Sequence, residues 1–351
     1  MSNEVSNKVD VTQTLETIFG GGYLSVDTAR TVMGALMDGE LSEIQAAALL
    51  ASLRTRGESV EEITGFAQAM RDRSIRVPVT MTQPVVDTCG TGGTGLDVIN
   101  VSTTSMFVAA ATGARVAKHG NVGVTRKSGS ADVLQAAGIS LDLGIDDLAH
   151  ALEEVGLAFL FARKHHPAMR FVAPIRAGLR VRTIFNSLGP LTNPASANRQ
   201  LMGVFDPAMT NPIANVLKGL GVERALVVHG DGLDDFGVSG ESSVSELTPS
   251  GEVLDYRIGP ADVGLDAHPL SDLRGGDPAE NAATLRRILQ QEGTPAQRDV
   301  VLFNAGAAAY LADLAPSIGE GVVLARSALE SGAALAKFEA YAAYAASRTA
   351  G

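Results

Sequence analysis

The amino-terminal part of the chain has the apolar spacing of helices and no clear strand pattern. Between residues 44 and 53, and again between residues 60 and 70, apolar side chains recur three and four positions apart. Two tetrapeptides match the capping box that begins a helix: Ser42-Glu43-Ile44-Gln45 and Ser59-Val60-Glu61-Glu62. Gly39 and Gly57 stand where helices would end. The pattern therefore predicts a small helical domain over residues 1–80.

From residue 84 onwards, short apolar runs alternate with helical or glycine-rich sequence. The runs that we interpret as strands are Pro84 to Asp87, Ala114 to Ala117, Leu157 to Phe161, Ala225 to Val228 and Val300 to Phe303. Such alternation predicts an α/β domain over residues 81–351. The segment 320–346 is alanine-rich and reads as helix, and we expect its core side chains to be Leu324, Ala328, Leu335 and Phe338.

Composition narrows the class of protein. The chain has 351 residues, of which 45% are hydrophobic and 19% charged, and this excludes a disordered protein. A formal net charge of −11 argues against binding to nucleic acid or to an anionic membrane. Cys89 is the single cysteine, so no intramolecular disulfide forms, and a reducing cytoplasmic location is expected. There is neither an apolar signal-peptide core nor a run near the ~18 apolar residues of a membrane span.

Two segments of this acidic chain contain several cations but no Asp or Glu. One segment runs from Val98 to Ala131 and the other from Arg163 to Arg182. Because charge runs are usually solvated faces, the clustering alone decides little. Together, the two segments favour a site for a strongly anionic small ligand.

A glycine-rich turn at residues 90–95 follows the first predicted strand. Its residues Gly90, Thr91, Gly92 and Gly93 can bring backbone N–H groups close to a phosphate. Asn100, Ser102 and Thr103 then open a helix, whose free N–H groups and dipole also favour an anion. The turn matches G-x-G-x-x-G, but the acid that a dinucleotide-binding unit needs after its second strand is missing, because Lys118 and His119 stand there.

Three later segments supply further candidate ligands for a phosphate, a sugar and a metal ion. Lys118-His119-Gly120-Asn121 and Lys127 to Asp132, which includes Ser130, supply a cation, amides and hydroxyls suited to a phosphate and a sugar. Asp234 and Asp235 follow a predicted strand, and adjacent carboxylates of this kind suit Mg²⁺ shared with substrate phosphates. No nucleophile–histidine dyad is visible, so we predict direct displacement rather than a covalent intermediate.

Several of these motifs, in the same order, make the chain resemble the anthranilate phosphoribosyltransferases. The segments that carry the resemblance over nearly the whole chain are MDGELSEIQAAALLASLRTRG, DTCGTGGTGLDVINVST, KHGNVGVTRKSGSAD, HHPAMRFVAPIRAGLRVRTIFNSLGPLTNP and VHGDGLDD, with Gly276-Asp277, Asn281 and Asn304. The resemblance implies a helical domain, with a contribution from about residues 167–200, joined to a larger α/β domain whose mixed sheet is flanked by helices. It also implies a homodimer formed through the helical part.

The resemblance implies a reaction and a role for each motif. Phosphoribosyl pyrophosphate and anthranilate would react with Mg²⁺ to release pyrophosphate. The pyrophosphate would be held by Gly90, Thr91, Gly92, Gly93, Asn100, Ser102 and Thr103, with Lys118 on a phosphate, and Mg²⁺ by Ser102, Asp234 and Asp235. The anthranilate site would be lined by His119, Asn121, Arg176 and Gly189. Ser130 is a further candidate substrate contact, and Lys118 and Arg176 are the candidate catalytic residues, because the guanidinium fork of arginine suits a planar carboxylate.

The sequence departs from the family pattern at four places. Thr94 stands for the Asp that usually ends the glycine turn, Val122 for an Arg, Thr125-Arg126 for a Ser-Ser region, and Asp235 for a Glu. Val122 removes a cation and Arg126 adds one, so we expect phosphate binding to be partly compensated. Two other functions stay open: the same fold with another aromatic acceptor or a nucleoside phosphorylase activity, and a non-catalytic ligand-binding paralogue.

Overall fold

The computed structural model describes residues 9–80, 82–123 and 127–349. Thr125 and Arg126, where the sequence departs from the family pattern, lie outside these ranges. In chain order, the α-helices are α1 Val11–Phe19, α2 Val26–Met37, α3 Glu43–Arg56, α4 Val60–Asp72, α5 Val101–Ala111, α6 Ser130–Ala136, α7 Ile145–Glu154, α8 Ala162–His165, α9 Ala173–Leu179, α10 Phe185–Leu188, α11 Thr210–Gly219, α12 Pro278–Leu289, α13 Pro295–Leu311, α14 Ile318–Glu330 and α15 Ala333–Thr349. The strands are β1 Val85–Gly90, β2 Arg115–Gly120, β3 Leu157–Phe161, β4 Arg199–Gly203, β5 Arg224–Gly230, β6 Ser242–Leu247 and β7 Val253–Ile258.

The chain divides into a helical unit and an α/β unit. The helical unit consists of Met1–Ile75 and His166–Thr192, so it is built from two separate stretches of sequence. Both predicted capping boxes are present, at Ser42 and Ser59. The two stretches are joined inside the unit where α9 contacts α3 and where Arg71 Nε donates a hydrogen bond of 2.7 Å to the Leu191 carbonyl.

The α/β unit, Arg76–His165 and Asn193–Gly351, is organised by a seven-stranded sheet. The strand order is β3-β2-β1-β4-β5-β6-β7, with β1 to β5 parallel and β6 and β7 antiparallel to their neighbours. Helices α5 and α13 pack together against the sheet, and their buried faces contain Phe107 and Phe303. The prediction of a helical domain plus an α/β domain with a mixed, helix-flanked sheet is confirmed.

The sheet topology marks one edge as the place for a ligand. After β1 the chain builds outward through β2 and β3, and it then returns to place β4 on the other side of β1. This reversal puts a crevice at the carboxyl ends of β1 and β4, where open α/β sheets bind their ligands. The strands beside it end in the same residue type: Gly90, Gly120, Gly203 and Gly230.

Two local predictions were wrong. The run Val300–Phe303 is not a strand but lies within α13, which begins with a capping box at Thr294. A short apolar run in a fully buried helix has no periodicity that separates it from a buried strand. Leu324 is 38% exposed rather than in the core, because it lies off the face that α14 buries, which is formed by Ile318, Gly321, Val322, Ala325, Ala328 and Leu329.

Candidate active site

The glycine-rich turn and the acid pair meet at the carboxyl ends of the central strands. The Gly92 N–H donates a hydrogen bond of 2.7 Å to Asp234 Oδ2, and the Asp234 and Asp235 side chains are buried. Gly92 and Gly93 have φ of 66° and 85°, a conformation that glycine adopts without strain. The Thr91 N–H, in turn, donates to the Gly203 carbonyl at 2.9 Å. The turn is therefore fixed to β4 and to the acid pair.

Lys118, at the end of β2, is buried close to the same groups. Its Nζ donates to Ser102 Oγ at 3.1 Å and to the Thr88 carbonyl. Burial lowers the pKa of Lys118, whereas the negative charges of Asp87, Asp234 and Asp235 act to raise it. Lys118 is thus a counter-ion within electrostatic reach of the acid pair, in contact with Ser102 at the start of α5.

The residues that follow β2 make polar contacts with one another and with Asn100, at the start of α5. Asn100 Nδ2 lies 3.4 Å from the Ser128 carbonyl, and Ser130 Oγ donates to the Asn121 carbonyl at 3.3 Å. The His119 side chain is buried, and so is that of Thr103 on α5. Residues at the start of α5 and residues at or after the end of β2 therefore lie at the same end of the sheet.

Arg176 and Gly189 belong to the helical unit. The Arg176 guanidinium carbon lies 5.6 Å from the Phe185 ring centroid, and partial burial lowers the Arg176 pKa. The Gly189 carbonyl accepts a hydrogen bond of 2.9 Å from Thr192 Oγ1. A half-buried guanidinium against an aromatic face is suited to a flat anionic ligand.

The donor set fits Mg²⁺ but not a metal held by protein alone. Among the residues that the structure describes, no three His, Cys, Asp or Glu side chains converge into a metal cage. Asp234, Asp235 and the Ser102 hydroxyl are hard oxygen donors, and Mg²⁺ usually binds through one or two carboxylates plus substrate phosphates. A site completed by a phosphorylated ligand is consistent with this arrangement.

Comparison with known proteins identifies the family. Two glycosyl transferase family models match the chain, the helical bundle domain over residues 12–74 and the α/β domain over residues 82–335. The chain is 51% identical over 330 residues to an anthranilate phosphoribosyltransferase of Rubrobacter xylanophilus, covering 94% of this chain and 96% of the relative. It is 45% identical over 315 residues to that of Deinococcus radiodurans, covering 90% and 93%.

The chain belongs to the anthranilate phosphoribosyltransferase family. A crystal structure of the family member from Thermus thermophilus superimposes with a TM-score of 0.89 at 46% identity, covering 94% of this chain and 98% of that one. The Saccharomyces cerevisiae anthranilate phosphoribosyltransferase in complex with PRPP and Mg shares the fold, with a TM-score of 0.88 at 24% identity, over 97% and 99% of the two chains. No helix among the described residues is both long and apolar enough to cross a bilayer.

Three of the four departures from the anthranilate phosphoribosyltransferase pattern lie among the described residues: Thr94, Val122 and Asp235. Thr94 is half-buried beside the glycine turn. Val122 packs partly against the core, and its N–H donates to Asn121 Oδ1 at 2.8 Å. Lys127 supplies a positive charge after β2, and its Nζ lies 3.5 Å from Asp97 Oδ2.

Sequence reasoning missed Asp87, whose carboxylate is fully buried on β1. Its Oδ1 accepts the His119 N–H at 3.0 Å, which ties β1 to the end of β2 beside Lys118. Burial raises the Asp87 pKa to about 6, although a hydrogen bond from Asn193 and the charge of Lys118 oppose the rise. The available signal was a carboxylate inside an apolar run, since an ionised side chain is buried there only with partners.

We expect an Asp87→Asn variant to gain stability relative to the native protein as pH rises. The folded pKa lies above the ordinary value of 3.8, so the folded state binds the Asp87 proton more tightly, and stability from this group is lost as pH rises towards 6. Two pKa units correspond to about 3 kcal/mol. Unfolding free energies measured from about pH 4.5 to about pH 7.5 should show the difference between the two proteins growing by up to this amount, then levelling off. A difference independent of pH would contradict the assignment.

Proposed function

We propose that this protein transfers the phosphoribosyl group of phosphoribosyl pyrophosphate to the amine of anthranilate, which gives N-(5-phosphoribosyl)anthranilate and pyrophosphate in tryptophan biosynthesis. The observation that carries the proposal is the hydrogen bond from Gly92 N–H to Asp234, with Lys118 nearby. It joins a phosphate-binding turn to a carboxylate pair at the topological switch point of the sheet. Phosphate donors and hard metal ligands at one place are what a diphosphorylated sugar needs.

On this proposal, the pyrophosphate binds to the turn and to the start of α5. The turn residues Gly90, Thr91, Gly92 and Gly93 and the side chains of Asn100, Ser102 and Thr103 line it, while Ser130 faces the sugar. Lys118 contributes positive charge from behind Ser102, to which it donates a hydrogen bond. The positive charge of Lys118 and the dipole at the start of α5 stabilise the negative charge that grows on the pyrophosphate as it departs.

Mg²⁺ is the proposed cofactor, held by Asp234, Asp235 and Ser102. The structure of the yeast family member contains PRPP and Mg, which supports the same requirement here. When bound, the ion neutralises charge on the leaving pyrophosphate. Asp235 is one methylene shorter than the Glu of the family pattern, and Thr94 supplies no carboxylate where that pattern has Asp. The chain therefore offers this ion fewer carboxylates than the family pattern does, and one of them has a shorter side chain.

The acceptor site is formed by His119, Asn121, Arg176 and Gly189 on this proposal. The amine of anthranilate is neutral at pH 7, so the chain needs no strong general base, and the main catalytic contribution is orientation of the amine towards the ribose carbon. Arg176 holds the carboxylate of anthranilate through its bidentate fork.

An Arg176→Ala variant is expected to raise the KM for anthranilate by about 10- to 100-fold, the scale of a lost hydrogen bond to a charged group. The KM for phosphoribosyl pyrophosphate should change much less. Steady-state kinetics with each substrate varied in turn measures both values. Arg170→Ala serves as a matched control, because Arg170 lies in the same segment but is exposed. Equal effects of Arg176→Ala on the two KM values would reject its role.

The reaction is tested by the loss of anthranilate fluorescence when the protein is mixed with anthranilate, phosphoribosyl pyrophosphate and Mg²⁺. Turnover with anthranilate supports the proposal. Turnover only with other aromatic amines, or phosphorolysis of a nucleoside, would support the same-fold alternative. Tight binding of both substrates without turnover would support a non-catalytic paralogue.

We further propose that the protein is a homodimer formed through its helical unit. This unit exposes large apolar side chains, among them Phe19 at 61%, Tyr23 at 60% and Ile44 at 83%. Exposed apolar surface, where it is extensive, is typical of protein interfaces. Light scattering measures the mass in solution. A cytoplasmic location stays a prediction from the sequence.

A further inference from the structure

Asn281, on α12, contacts the proposed pyrophosphate site without belonging to it. Its side chain is buried, with 4% of its surface exposed. Its Oδ1 accepts the Gly276 N–H at 2.9 Å, and its Nδ2 donates to Asn100 Oδ1 at 2.8 Å. Asn100 directly precedes α5, and its side chain makes no capping hydrogen bond to that helix.

The two asparagines are held in place by backbone pairing between their segments. The residues before α12 run antiparallel to those before α5, with a bridge between Val98 and Arg274. The flanking hydrogen bonds are Ile99 N to the Leu273 carbonyl, 3.0 Å, and Gly275 N to the Asp97 carbonyl, 2.9 Å. The distance between Asn281 and Asn100 is therefore set by main-chain contacts and not by flexible side chains alone.

This geometry fixes which end of each amide faces which way. The oxygen and nitrogen of an amide side chain are normally assigned from the hydrogen-bond network. Here the network starts from a backbone N–H, that of Gly276, which can only donate. Asn281 must therefore turn its oxygen to Gly276 and its Nδ2 to Asn100, and Asn100 must in turn offer its own oxygen to Asn281. The Asn100 Nδ2 lies 3.4 Å from the Ser128 carbonyl, and Ser128 Oγ lies 3.5 Å from Asn100 Oδ1, so two long contacts with Ser128 agree with the orientation that the shorter bond from Asn281 sets.

We propose that Asn281 is a positioning residue that keeps the Asn100 amide turned so that its N–H₂ group, and not its oxygen, faces the phosphates of the substrate. The inference rests on the proposed binding of phosphoribosyl pyrophosphate and deepens it. An amide oxygen turned towards a phosphate oxygen repels it, whereas an N–H₂ group donates to it. The orientation set by Gly276 is thus passed through Asn281 to the substrate.

Two substitutions of Asn281 separate orientation from packing. Asn281→Asp still accepts from Gly276, but its second oxygen faces Asn100 and turns the Asn100 amide the wrong way. Asn281→Leu has a similar size and leaves the Asn100 amide with only its two long contacts to Ser128. We expect Asn281→Asp to raise the KM for phosphoribosyl pyrophosphate by about 10- to 100-fold and Asn281→Leu to raise it less. The KM for anthranilate should change little in either variant.

A double-mutant cycle with Asn100→Ala excludes an alternative cause. The new charge of Asn281→Asp could repel the pyrophosphate directly, and it would do so whether or not Asn100 is present. If Asn281 acts through Asn100, adding Asn281→Asp to Asn100→Ala costs little, and the two single effects are strongly non-additive. Additive effects would overturn the proposal. If Asn281→Asp fails to fold, as shown by its unfolding temperature, the cycle is run with Asn281→Leu.

Calorimetry with Mg²⁺ and inorganic pyrophosphate gives a readout that needs no turnover. The expected order of affinity is native, then Asn281→Leu, then Asn281→Asp. This order without turnover by the native protein would reject the proposed reaction and support the role of Asn281. Turnover by the native protein, with Asn281→Asp and Asn281→Leu equally impaired, would reject the role of Asn281 and leave the reaction standing.

Discussion

Replacing Asp234 with asparagine is expected to lower kcat/KM for phosphoribosyl pyrophosphate by about 100-fold or more, the scale of removing a group that stabilises transition-state charge. The substitution keeps the size of the side chain and an oxygen that can accept the Gly92 N–H. It removes the negative charge that would hold the cation and that acts on Lys118. Activity measured against Mg²⁺ concentration should shift to a higher half-saturation point, and Asp235→Asn should behave in the same way.

Asp231→Asn provides the matched control for the acid pair. Asp231 lies in the same loop after β5, but it is exposed, and its carboxylate accepts a hydrogen bond of 3.0 Å from Ser239 Oγ. This variant should retain nearly native kinetics. If Asp231→Asn and Asp234→Asn lower kcat/KM equally, the loss comes from the general negative charge of the loop, and the acid pair has no special role.

A Gly203→Ala variant is expected to lose both activity and at least about 3 kcal/mol of stability, the upper range for overpacking a filled site. A Cβ at Gly203 would lie 1.6 Å from the Asp234 carbonyl oxygen and 2.1 Å from the carbonyl carbon. Both contacts are with backbone, so no side-chain rotation relieves them. The segment that carries the acid pair has to move away from β4. Thermal unfolding and kcat/KM, measured on the same preparation, report both losses.

Gly240→Ala tests whether the effect is specific to that contact. A Cβ at Gly240 would meet Asp231 Oδ2 at 3.6 Å, which is ordinary van der Waals distance. We expect it to fold and turn over much like the native protein. A Gly203→Ala protein of native stability and activity would show that the loop after β5 adjusts easily, contrary to the close packing around Asp234.

How much the sequence predicts depends on whether the signal is local. The capping boxes at Ser42 and Ser59 are read from four adjacent residues, and both are present. The strands β4, β6 and β7 were not predicted. In β4 only Leu201 and Met202 are strongly apolar, β6 mixes serine with apolar residues, and β7 has only partly buried or exposed positions. The wrong strand at Val300–Phe303 has the opposite cause, since a helix buried on all sides shows no polar face.

For the site, the sequence reveals the residue types but not the contacts among them. The glycine turn and the acid pair are recognisable separately, yet Gly92 and Asp234 are 142 positions apart, and only the strand order brings them into contact. The apolar run around Asp87 is a local signal of its burial, but its proximity to Lys118 depends on the pairing of β1 with β2, which no local pattern encodes. Asn281 was noticed as part of a motif, but its direction of hydrogen bonding depends on the Gly276 backbone.

The two-part construction of the helical unit has a consequence for synthesis on the ribosome. The unit needs α9 against α3 and the Leu191 carbonyl for Arg71, but these partners emerge only after β1, β2 and β3 have been translated. Domains generally fold as units during synthesis, beginning from the amino terminus. Here the first helices to emerge must wait, with part of their packing surface open, until three strands of the sheet have followed them. Translation pauses or chaperone contacts within that interval would therefore act on an unfinished helical unit.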